Sequence, residues 1–137
     1  MNTTTHAAAT GVLTASASYV GTWASLAPRS FYDDFPGFNR IWVGGDGPYN
    51  EHLVRDVGGL YLALATAGLL ALLWREPHVT TLLGAAWTVF SVPHLGYHGQ
   101  HLGAMDTLDA AGNVVTLGGT LVLALLLLVP ARKETHR

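Results

Sequence analysis

The sequence has no cysteine. Disulfides, zinc–thiolate centres and cysteine nucleophiles are therefore excluded. Charge is also scarce: Asp, Glu, Lys and Arg make up 12% of the 137 residues, where soluble domains carry about a quarter. So few charges do not cover a water-facing surface. Neither sign dominates. The net charge is −2, which gives no electrostatic footprint for nucleic acid, and no such partner is expected. Recognised catalytic signatures are missing too. There is no Gly-x-Ser-x-Gly, no phosphate-binding glycine loop and no His-Glu-x-x-His. Gly44–Gly47 is glycine-rich but lacks a Lys or Ser/Thr partner, so it reads as a turn.

What is present is apolar length. Half of the residues are apolar, and a spanning helix needs about 20 of them in succession. Val57–Trp74 runs 18 residues without a charge, and Ala110–Ala131 runs 22 with Asn113 as its strongest polar group. Val79–Pro93 is uncharged for 15 residues and reaches spanning length if it continues towards His98. Ala7–Pro28 is uncharged and rich in Ala, Ser, Thr and Gly. No Lys or Arg precedes it and it has no Leu-rich centre, so it reads as a packed transmembrane helix, not a cleaved signal. The fold expected is all-α: an up-and-down transmembrane four-helix bundle in one integral membrane domain. Helices are expected at about 7–28, 51–74, 78–99 and 107–130, with a long aromatic and Gly/Pro loop at 29–50. Pro77 suits the first turn of the third helix, and Pro130 ends the fourth. Gly59, Ala63 and Ala67 fall at i, i+4 and i+8, a small-residue face expected to serve packing within the chain or a homo-oligomer.

Four spans would put both ends of the chain on one side. Arg75, Arg132, Lys133 and Arg137 lie on that side, against Arg29, Arg40 and Arg55 on the other. The positive-inside rule then makes the termini cytoplasmic, by a margin of one residue.

Polar groups gather at the opposite, outer end. His94, His98 and His101 fall at i, i+4 and i+7, on one face if the helix runs past Pro93. Two histidines one turn apart is the spacing by which a helix gives two imidazoles to a metal. At the start of the second helix, Asn50 suits the N-cap, Glu51 and Arg55 are placed for an ion pair, and His52 and Asp56 for a His held by a carboxylate. Asp106, Asp109 and Asn113 lie on one face of the fourth helix. Asp106 is a candidate N-cap, and Asn113 is deep enough to need a partner in the bundle. Convergence of His52, Asp56, His94, His98 and Asp109 is expected, because ionisable groups at membrane depth face one another. That cluster would suit a transition metal held by His94, His98 and His52, or haem. It would equally suit a hydrogen-bonded polar cap with no chemistry.

The segments Phe31–Gly37, Tyr49–Leu62 and Val92–His98 resemble a group of short bacterial four-helix membrane proteins with no assigned activity. The likeness covers about residues 19 to 128. More loosely, Arg55-Asp56-Val57-Gly58-Gly59-Leu60 and the chain's size are similar to DoxX-like membrane proteins. The resemblance implies the fold and the membrane location. It implies no substrate or cofactor. The expected role is a non-enzymatic accessory or structural component of a larger membrane complex, in contact with the lipid bilayer. The alternative is metal or haem binding.

Overall fold

A computed structural model describes residues 3–130. The basic residues Arg132, Lys133 and Arg137 lie outside them. The described chain is all-helical apart from one small hairpin, with 82% of residues in helix. Four long helices, α1 (Thr3–Leu26), α3 (Glu51–Trp74), α4 (Pro77–His101) and α5 (Thr107–Leu128), fall close to the expected ranges. Of these, α3 and α5 are long and apolar enough to cross a membrane. The residues divide into two compact units, 15–65 and 3–14 with 66–130, so α1 and α3 each contribute to both.

The aromatic unit, residues 15–65, holds what the sequence presents as a loop. Part of it is a short helix, α2 (Pro28–Asp34). Pro28 presets its first turn. Arg29 Nε donates to Asp33 Oδ2 at 2.7 Å and Ser30 Oγ to Asp34 Oδ2 at 3.1 Å, both one turn apart. A two-stranded hairpin follows, β1 (Pro36–Gly37) and β2 (Arg40–Ile41), with Pro36 opposite Ile41 and Gly37 opposite Arg40. Phe38 and Asn39 between them have φ of 57° and 58°, the backbone of a type I′ turn. Seven residues are too few for a helical period, and Pro-Gly reads as a breaker.

The core of this unit is Ala24, Phe31 and Val54, with Val20, Trp23, Phe35, Val43 and Tyr49 packed against it. Trp23 meets Tyr19, Phe31 and Phe35 at ring-centre distances of 5.6, 6.0 and 6.1 Å. Within the unit, α1 and α3 come so close that a Cβ on Gly58 would lie 2.6 Å from the Ser25 nitrogen. The expected small-residue face is not the one that packs within the chain. Gly59, Ala63 and Ala67 are exposed, while Gly58, Ala65 and Gly68 are buried. The spacing of small residues names several faces, and the backbone approach selects the one through Gly58.

In the other unit, α4 turns through a 3₁₀ segment (Leu102–Ala104) into α5, and the two helices pack as an antiparallel hairpin. Gly84 permits the contact: a Cβ there would lie 2.7 Å from Leu127 Cβ and 2.9 Å from the Ala124 carbonyl oxygen. Leu83, Trp87, Ala124 and Leu127 are buried nearby. α4 continues through Pro93 to His101, although Pro93 has no N–H to give to the Val89 carbonyl.

Candidate functional site

Helix starts account for several of the polar residues. Asn50 Oδ1 accepts from the Leu53 amide at 3.1 Å, and Asp106 Oδ1 from the Asp109 amide at 2.9 Å, so both are N-caps as their spacing suggests. Arg55 Nε donates to Glu51 Oε1 at 2.9 Å. Its other end donates to the Ser25 carbonyl, one of the last carbonyls of α1, which has no partner within its own helix. His52 Nε2 lies 3.3 Å from Asp56 Oδ2, with side chains 88% and 58% exposed. All of these except Asp106 and Asp109 belong to the aromatic unit. In the same unit, Asp33 hydrogen-bonds Arg29 and raises its pKa above the usual arginine value. The Arg29 guanidinium stands 5.7 Å from the ring centre of Tyr32 and 5.0 Å from that of Tyr49.

The histidine run lies in the helical-hairpin unit. His94 and His98 rings meet edge to face with centres 4.8 Å apart, and Phe90 stacks on His94 at 4.9 Å. His101 diverges from this pair. Its Nδ1 is 2.7 Å from the Tyr97 carbonyl oxygen and its ring stacks on Tyr97. Asp109 is half-buried one turn before Asn113.

Asn113 is 2% exposed, yet its Oδ1 has no hydrogen-bond partner, against the expectation that the bundle would supply one. His98 Nδ1 and Ser91 Oγ are buried without a partner as well, Ser91 being 3% exposed. Ser91 is the residue that sequence reasoning passed over. Its signal was the seven-residue step Gly84, Ser91, His98, which keeps one helical face. Among the described residues, no group of three or more His, Asp or Glu side chains is placed to hold a metal ion. No family model matches the chain, and no curated protein or solved structure does either.

Proposed function

We propose that the chain is a four-span integral membrane protein, an up-and-down bundle with cytoplasmic termini, serving as a non-enzymatic component of a larger membrane assembly. The observation that supports this is apolar surface left uncovered on every long helix. Val12 on α1, Leu60 and Leu69 on α3, Leu82 and Val89 on α4, and Val115 and Val122 on α5 are all exposed. Only 22% and 17% of the most apolar stretches of α3 and α5 are buried. Water does not tolerate so much contiguous apolar surface, and lipid covers it at no cost. Each long helix has 22 residues or more, about 33 Å at 1.5 Å per residue, enough for a hydrocarbon core of about 30 Å. The likeness to short four-helix membrane proteins points the same way. A second reading is a metal- or haem-binding membrane protein whose imidazole ligands include His94 and His98. It draws support from the His94–His98 ring pair.

The absence of cysteine makes the test direct, since any introduced thiol is unique. A side chain at Gly45 or Gly103 meets open space, and Glu76 is exposed. In intact cells, an impermeant maleimide should label Gly45→Cys and Gly103→Cys and reach Glu76→Cys only after permeabilisation. Labelling of Gly45→Cys and Gly103→Cys from opposite sides would refute the four-span topology. Recovery of the chain in the soluble fraction would refute membrane insertion. A clean monomer in mild detergent, with nothing co-purifying, would refute the accessory role.

A further inference from the structure

We propose that the α4–α5 seam binds a transition-metal ion of the imidazole-preferring class, with His94 and His98 as nitrogen ligands and Asn113 Oδ1 as the oxygen ligand. This deepens the metal-binding reading, on which it rests, and does not depend on the accessory role.

The register of the seam comes from Gly84, which faces Leu127 and Ala124. Steps of seven residues stay on one helical face. They lead along α4 from Gly84 through Ser91 to His98, and back along α5 from Leu127 through Thr120 to Asn113. The helices are antiparallel, so His98 and Asn113 arrive at the same level on facing stripes.

Polar side chains elsewhere in this hairpin are satisfied by their own helix. Thr88 donates to the Gly84 carbonyl at 2.7 Å, Thr116 to Gly112 at 2.8 Å and Thr120 to Thr116 at 2.8 Å. Ser91 Oγ, His98 Nδ1 and Asn113 Oδ1 are the exceptions, buried without a partner, and the last two lie at one level. A buried polar group left without a partner is destabilising. His98 Nδ1 and Asn113 Oδ1 each carry a lone pair, and one Lewis acid answers both.

The His94–His98 geometry fits such an ion. With metal–nitrogen bonds of about 2.0–2.1 Å, two imidazoles on one tetrahedral ion hold their ring centres about 5 Å apart. The observed separation is 4.8 Å. Imidazole nitrogen selects Zn, Cu, Ni or Fe over Mg or Ca. An amide oxygen as third ligand leaves a position open for water or substrate. Ser91 lies seven residues from His98, about 10 Å along the helix, at the next level of the seam. His101 turns to the Tyr97 carbonyl and is not a ligand.

The test is a Co²⁺ titration of the detergent-purified full chain, read by ligand-field absorption and reversed by Zn²⁺. One Co²⁺ per chain is expected. Loss of outer partners of a metal site costs about 10–100-fold in affinity. Loss of a ligand costs at least as much, so His94→Ala and His98→Ala should weaken binding by about 100-fold or more, and Asn113→Leu by about 10-fold or more. Asn113→Asp, which keeps size and polarity, should retain or tighten binding. His101→Ala should bind as wild type. Circular dichroism checks that each variant keeps its helix content. Binding unchanged in His94→Ala and His98→Ala, or lost in His101→Ala or His52→Ala, would overturn the assignment. So would no binding by wild-type protein extracted from the membrane fraction, which would identify the buried atoms as a water site and leave the membrane reading intact.

Discussion

At the scale of single residues, a polar group's neighbours separate structural work from exposed chemistry. Arg55 is structural: it ties Glu51 to the end of α1 through the Ser25 carbonyl. A hydrogen bond from a charged donor contributes about 1.5–3 kcal/mol when shielded. The Arg55 side chain is 48% exposed, so screening reduces that to about 1–2 kcal/mol. Arg55→Ala should lower the melting temperature in detergent, and Glu51→Ala should lower it much less, because an exposed ion pair contributes about 0–1 kcal/mol. Equal losses would show that the Ser25 contact contributes nothing. His52 and Asp56 are more exposed still. His52→Ala should leave melting within about 0.5 kcal/mol of wild type, which frees that pair for a role other than stability.

At the scale of elements, adjacent glycines on α3 should respond in opposite directions. A Cβ on Gly58 would press on the Ser25 nitrogen at 2.6 Å and the Ala24 carbonyl carbon at 3.0 Å, both backbone atoms that cannot yield. Gly58→Ala should therefore destabilise by about 1–3 kcal/mol. Nothing lies within 4 Å of a Cβ on Gly59, and Gly59→Ala should stabilise by up to about 1 kcal/mol through helix propensity. Thermal melts of the two variants check the pair, and a shared sign would mean that the α1–α3 approach is wrong. The contrast shows where the sequence is legible. Uninterrupted apolar runs mark α3 and α5, and the caps at Asn50 and Asp106 mark their starts. Spacing alone could not choose between the Gly58 and Gly59 faces, because both carry small residues at helical intervals. It could not find α2 or the hairpin either, since elements this short are held by Trp23, Phe31 and Phe35 and not by their own pattern. At the candidate site, the His94–His98 pair was legible from one-turn spacing. The burial of Asn113 was legible from its depth in an apolar run, but its level relative to His98 was not, because that depends on the register set by Gly84 and Leu127.

At the scale of the whole molecule, the open question is which way the four proposed spans point. Acidic residues contribute little to orientation, so the decision falls to Lys and Arg near the helix ends. The balance is four on the terminal side against three on the other, and two of those four are Arg132 and Lys133. Neutralising both as Gln reverses the count to two against three. A bundle oriented by so small a margin should then insert in both directions. In the Gly45→Cys background, a substantial fraction of the thiol should become protected from impermeant maleimide in intact cells, while Glu76→Cys becomes labelled to a matching extent. A fixed orientation after that change would place the determinant elsewhere. The candidate would be the folded segment at 28–41, where Arg29 is held by Asp33 and flanked by Tyr32 and Tyr49. Once exported, a compact, charge-bearing unit of this kind resists being drawn back across a bilayer in a way that an open loop does not. Adding Arg29→Gln to the doubly neutralised chain separates the two explanations. If counting alone governs, the balance becomes two against two and mixed insertion persists. If the folded segment governs, orientation changes only when Arg29 is lost.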